Sequence, residues 1–289
     1  MSLLWVNGAL VDKADARVSP FDHGFLYGDG VWEPLRVFGG RLFLGREHVV
    51  TLLNTARHYE IDVQYTEAEL LAAVEATVRA NQRTDGYCRV IVTRGPGTIG
   101  PDPRKLDPQV FITAEEYQPF PSELAGHGLR VVTYPYSVTD HEPRFWLRSL
   151  GRTEIVSARR HALRAGCLDA VLSNSLCDVI GTTEGDLFYV RNGRATPAGS
   201  LVCREAYSVV ELAYKLALWE NANRLSRDEL KTADEVFLVG TACGVIAVAR
   251  IDGHTIGSGG EGPVTRAVRD AYHALTRGAD TMPAEGGVP

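Results

Sequence analysis

The segment "FWLRSLGRT" (145–153) places Arg148 between an apolar run and a Ser-Leu-Gly-Arg sequence that leads into a helical pattern. A guanidinium with a pKa above about 12 can bind carboxylate or phosphate but cannot deprotonate or add to an aldehyde. "RGPGTIG" sets Gly95, Gly97 and Gly100 in the spacing of a dinucleotide fingerprint, which requires a helix to open there. Pro101, Pro103 and Pro108 forbid that helix, so the segment reads as a turn. The eight histidines occur without H-x-x-x-H or H-E-x-x-H spacing, so no metal site is expected. Asp140, His141, Glu142 and Arg144 group in "DHEPR", which reads as a solvated loop, and no G-x-S-x-G nucleophile is present.

The elements that must position any site alternate between strand and helix periods. "LLWVNGALV" is a hairpin around Asn-Gly, and "GVWEPLRVFGGRLFLG" is a strand, a Gly-Gly turn and a strand. "REHVVTLLNTARHYEI" and "EAELLAAVEATVRANQ" carry apolar residues at helical spacing, and "YCRVIVTRG" and "QVFITAEEY" are strands. The polar, proline-bearing stretch 118–128 is the expected boundary between a small N-terminal α+β domain (1–120) and a larger C-terminal α+β domain (128–278) with a crevice between them. In the second half "LRVVTYPYSV", "DAVLSN" and "DLFYVRNGRATPA" read as strands. "RTEIVSARRHALRAG", "REAYSVVELAYKLALWEN" and "GPVTRAVRDAYHALTRG" read as helices. Residues 279–289 form a tail expected to be disordered.

Composition excludes several classes. The chain has 289 residues, 45% hydrophobic and 23% charged, as expected of a globular protein. A net charge of -6 without basic runs argues against a nucleic-acid partner. No apolar stretch approaches the roughly 20 residues of a membrane span, and no signal peptide is visible. Five scattered cysteines without C-x-x-C spacing read as reduced, so a cytoplasmic location is expected.

The ordered blocks "SPFDHGFLYGDGVWEPLRV", "YCRVIVTRG", "LRSLGRTEIVSARRHAL" and "LKTADEVFLVGTA" resemble the fold type IV (class IV) pyridoxal-phosphate (PLP) enzymes over about residues 4 to 277. These include branched-chain and D-amino-acid aminotransferases and aminodeoxychorismate lyase, and the L-x-x-L-x-R shape around 148 is most similar to the lyase branch. The resemblance implies a two-domain α+β fold like that of D-amino-acid aminotransferase, a homodimer and an interdomain site. It places Tyr27, Glu33 and Arg36 on first-block positions, and Tyr87 and Arg89 on the Tyr-x-Arg position that, like Tyr27 and Arg36, faces substrate. Thr241 and Ala242 fall on the Gly-Thr-Ala turn that helps bind the cofactor phosphate.

The departures from the family pattern carry more information. The Schiff-base lysine falls on Arg148, the glutamate at the pyridine nitrogen on Gly181, and the phosphate-binding arginine on Thr51. The amide-rich Gly-Ile-Thr turn falls on Cys203, Arg204 and Glu205. Lys215 lies in a helix elsewhere and Glu184 comes three residues late, so no shift of register restores the pattern. Without a neutral amine no covalent cofactor is expected, although non-covalent PLP or pyridoxamine phosphate (PMP) stays open. Without a carboxylate at 181 the ring would be a poorer electron sink. Arg36, Arg89 and Arg148 suggest a small carboxylate- or phosphate-bearing ligand, or else each pairs with an acid such as Glu33 or Glu184. Three functions follow: a PLP-independent lyase or isomerase, a weak aminotransferase or lyase holding PLP or PMP non-covalently, or a non-catalytic binder.

Overall fold

The computed structural model describes residues 2–104, 106–124, 126–138, 148–221 and 224–278. The expectations for the "DHEPR" loop and for the tail after residue 278 lie outside these residues. The fold is α+β, and the chain divides into two compact units. The first comprises Met1–Pro119 with Tyr136–Arg160, and the second Phe120–Pro135 with His161–Pro289.

The first unit is built on an antiparallel sheet of β1 (Leu3–Val6), β2 (Ala9–Asp12), β3 (Gly30–Phe38), β4 (Arg41–Phe43), β5 (Gly86–Thr93) and β6 (Gln109–Glu115), in the order β2-β1-β6-β5-β3-β4. The period of two along β3 puts Val31, Glu33, Leu35 and Val37 on one buried face. There the aliphatic members pack with Leu52 of α2 (Gly45–His58) and with Leu70 and Val74 of α3 (Glu67–Ala80). Trp32 and Arg36 alternate onto the opposite face, and the register Pro34↔Arg89 and Arg36↔Tyr87 brings the β5 side chains beside them. A capping box between Thr66 and Glu69 starts α3. No helix opens at Gly95, as the prolines after it require, and glycine is needed there because a Cβ would run into the Asp107 carbonyl oxygen.

The second unit carries the sheet order β11-β10-β12-β13-β7-β8-β9, with β14 (His254–Thr255) paired to β13. Its strands are β7 (Leu129–Thr133), β8 (Asp169–Ser173), β9 (Val179–Thr182), β10 (Asp186–Arg191), β11 (Arg194–Pro197), β12 (Glu235–Gly240) and β13 (Gly244–Ile251). β7 pairs in parallel with both β13 and β8. The helices are α4 (Thr153–Arg164), which runs from the first unit into the second, then α5 (Arg204–Lys215), α6 (Arg227–Lys231) and α7 (Pro263–Thr276). Among the described residues no helix is long and apolar enough to cross a membrane.

Three details differ from the sequence reading. The helix expected over 204–221 stops at Lys215, because Ala217 adopts φ 57° and Leu218 N turns back to Ala213 O at 2.8 Å. β9 was not anticipated, and neither was the short helix α1 (His23–Tyr27), capped by the Asp22 carboxylate on Gly24 N at 2.7 Å.

The entry to β3 is fixed by one partly buried ion pair. Arg94 reaches Asp29 with Nε at 2.5 Å and Nη2 at 3.0 Å, and also donates to the carbonyls of Tyr59 (2.7 Å) and Glu60 (3.0 Å). One side chain thereby joins the end of β5, the residue before β3 and the chain leaving α2. Removing one partner strands the other charge, at a cost below the roughly 3–5 kcal/mol of a fully buried pair because Asp29 keeps some contact with solvent. Arg94→Leu is therefore expected to lose on the order of 2 kcal/mol in urea denaturation, and the Asp29→Leu, Arg94→Leu pair to regain part of it. An unchanged midpoint for the single variant would refute this role.

Candidate functional site

Two groups of sequence-singled residues stand in the two units, and each is built by a different local device. In the first unit the device is an open sheet edge. β4 covers β3 only along Arg36–Phe38, leaving the first half of that edge unpaired. Residues 148–150 fill it: Trp32 N donates to Arg148 O at 2.8 Å, Val31 bridges Ser149, and Leu150 N donates to Gly30 O at 2.9 Å. The backbone at 148 is thus held beside Trp32.

From that position the Arg148 side chain, only 14% exposed, meets groups of both sheet faces. Its Nε lies 3.6 Å from Glu33 Oε2, an ion-pair distance too long for a hydrogen bond. The other carboxylate oxygen accepts from His48 Nδ1 of α2 at 2.8 Å. Glu33 and His48 are buried at 2% and 0% exposure, so the guanidinium and the imidazole offset a carboxylate that would otherwise be expensive to bury.

On the opposite face the Trp32 indole gathers guanidinium groups. Arg89 lies 4.3 Å from its ring centroid, Arg148 5.3 Å and Arg152 5.8 Å. Each such contact contributes roughly 0.5–2 kcal/mol, depending on desolvation, and so counters part of the mutual repulsion of the cations. Arg89 Nη2 donates to Tyr87 Oη at 3.3 Å, while its buried Nε has no hydrogen-bond partner among the described residues. Arg36 is drawn off along the strand, donating to Tyr117 O at 3.2 Å and lying over Phe38. Tyr27 sits 45% exposed at the end of α1 against His23, and Thr51 bonds back to Glu47 O of its own helix at 2.8 Å.

In the second unit the device is a turn crowded by carboxylates. Gly181 in β9 has φ 137°, a conformation L side chains rarely adopt, and a Cβ there would stand 3.1 Å from Gly185 O. The buried Asp186 carboxylate accepts from Val202 N and Cys203 N, both at 2.9 Å, at the entry to α5. Thr241, in the turn between β12 and β13, donates its hydroxyl to the fully buried Glu205 at 2.7 Å. Asp169 accepts from Thr183 N at 3.1 Å and from its hydroxyl at 2.5 Å. Burial, with the charges of Glu184, Asp169 and Glu205, pushes the Cys243 thiol well above its usual range. Ala242 lies between Thr241 and this cysteine.

Within the first unit the structure brings Arg148 and Arg89 to one indole, with Tyr87 beside Arg89 and Glu33 meeting Arg148 from the other face of the sheet, and sets Arg36, Thr51 and Tyr27 on other contacts. In the second unit it brings Thr241 to Glu205. Sequence reasoning missed Trp32, His48, Arg152 and Asp186. Trp32 and His48 had a signal, an aromatic next to Glu33 in β3 and a histidine at a buried position of α2. Among the described residues no group of His, Cys, Asp and Glu could hold a metal ion.

Comparison with known proteins agrees with this architecture. The chain is 34% identical over 279 residues to the putative branched-chain-amino-acid aminotransferase of Methanocaldococcus jannaschii, covering 93% of this chain and 94% of that one. It is 32% identical to the D-alanine aminotransferase of Bacillus licheniformis, over 92% of this chain and 94% of that one. Among solved structures, the Escherichia coli branched-chain amino acid aminotransferase superposes with TM-score 0.93 at 25% identity, covering 98% and 97% of the chains. A T.th. branched-chain amino acid aminotransferase solved with pyridoxamine 5'-phosphate gives 0.90 at 28% identity, covering 96% and 95%. Residues 30–251 match the family described as amino-transferase class IV, and the chain belongs to that family.

Proposed function

We propose that this class IV aminotransferase homologue works without a covalently held pyridoxal phosphate, as a lyase or isomerase acting on a small anionic substrate. The observation that carries the reading is the lodging of Arg148. A guanidinium at the Schiff-base position, paired with buried Glu33 and laid by Trp32, is part of the fabric of the first unit. It cannot become the neutral amine that an aldimine requires.

The other residues present do not fit the cofactor either. Among the described residues the lysines are Lys13, Lys215 and Lys231, ion-paired with Glu115, with Glu211, and with Asp228 and Asp252 respectively. Gly181 offers no carboxylate to a ring nitrogen, and Thr51 offers a hydroxyl where the family has a cation. Arg89 and Arg148 supply the positive charge for a carboxylate or phosphate, and Tyr87 a hydroxyl beside it. Non-covalent PLP or PMP is the second reading, favoured by the retained Thr241–Ala242 turn and by the relative solved with pyridoxamine 5'-phosphate. The protein is proposed to act as a homodimer, and light scattering at micromolar concentration should give twice the chain mass. A monomer would refute the dimer.

Borohydride reduction of the protein as purified, followed by peptide mapping, should find no pyridoxyl-lysine, and such an adduct would overturn the reading. Arg148→Lys alone should not form an aldimine with added pyridoxal phosphate. Gly181→Glu forces a side chain into a strained backbone, at a cost of roughly 1–3 kcal/mol. The triple variant Arg148→Lys, Thr51→Arg, Gly181→Glu should therefore bind cofactor better than the single change yet melt earlier than the parent. An aldimine band from Arg148→Lys alone would show that the anchors have been misassigned.

Thermal-shift screening against small mono- and dicarboxylates tests the substrate class. A stabilising ligand should bind about 10- to 100-fold more weakly to Arg89→Met or Arg148→Met, the loss of one charge-assisted contact of roughly 1.5–3 kcal/mol. Equal affinity in both variants would remove the arginines from the binding site.

A further inference from the structure

We infer that the second unit fills the place of a phosphate with its own carboxylates: Asp186 takes the two amides leading into α5 and Glu205 takes the Thr241 hydroxyl, so a ligand of this unit carries no phosphate group. This deepens the reading above and rests on it for the absence of cofactor.

The start of a helix, with its oriented amides, commonly binds phosphate, and a hydroxyl from a neighbouring turn completes such a site. Here α5 runs for twelve residues, and its N-cap Cys203 makes no side-chain cap. The amides of Val202 and Cys203 both donate to one Asp186 oxygen at 2.9 Å. The Thr241 hydroxyl donates to Glu205 at 2.7 Å, from the first turn of the same helix. Both carboxylates are removed from water, at 4% and 0% exposure. The Thr241 hydroxyl and the two amides just before the helix therefore already serve two fixed carboxylates. A bound phosphate would have to displace Glu205 from Thr241 and then share the turn with its charge. Burial is the main cause of the raised Cys243 thiol, and the charges of Glu184, Asp169 and Glu205 add to it at this turn.

The test measures binding of inorganic phosphate, and of pyridoxal 5'-phosphate against pyridoxal, by calorimetry and thermal shift on the full chain. The parent protein should show no saturable phosphate binding in the millimolar range and no preference for the phosphorylated aldehyde. Glu205→Thr should gain at least about tenfold in phosphate affinity and prefer the phosphorylated aldehyde by a similar factor. Glu205→Gln keeps the shape and an acceptor for Thr241 while deleting the charge, and should gain several-fold. It decides the matter if the threonine variant does not fold. Saturable millimolar binding of phosphate by the parent would overturn the inference, as would folded variants that gain nothing. Phosphate binding without a pyridoxyl-lysine defeats this inference alone, whereas a pyridoxyl-lysine defeats the proposed function whether or not free phosphate binds.

Discussion

The contact between Arg148 and Glu33 ties a buried acid to residues 148–150, which fill the half of the β3 edge that β4 leaves open. Glu33 faces the core because β3 alternates, and its neighbours there are Val31 and Leu35, which cannot solvate a charge. His48 serves one oxygen from α2 and Arg148 approaches the other from the edge. A lysine at 148 would bring a compact ammonium on a flexible stem, without the planar fork that can lie by Trp32 while facing Glu33. The arginine is therefore built into the first unit on both faces of the sheet.

Charge is sorted between the two units. The first presents Arg89, Arg148 and Arg152 around one indole, whereas the turn of the second holds Asp169, Glu184 and Glu205 near Cys243. With a net charge of -6 the chain is acidic overall, so a concentration of guanidinium groups on one face of one sheet is a local property.

Much of this was legible in the sequence, because strand and helix periods depend on neighbours close in the chain. The hairpin at Asn7–Gly8, the alternation along β3 and the buried stripes of α2 and α3 all follow from local spacing, and the α+β class follows from them. The resemblance to the family blocks singled out Arg148, Gly181 and Thr241. What could not be read was anything made by a return of the chain. The pairing of residues 148–150 with β3, and the capture of the Val202 and Cys203 amides by Asp186, join residues far apart in sequence. α5 was overextended because its apolar pattern continues past the reversal at Ala217. Glu205 was legible as a departure from a glycine-rich turn, but its bond to Thr241 depends on the sheet bringing β12 and α5 together.

The account stands on Arg148 being a fixed cation coupled to Glu33, and a double-mutant cycle on Glu33→Gln and Arg148→Met measures that coupling directly. Unfolding free energies of the parent, both single variants and the pair should give an interaction of at least about 1 kcal/mol, within the range for residues in one buried network. Additivity within about 0.3–0.5 kcal/mol would mean that Arg148 merely lies near Glu33, and would contradict the account.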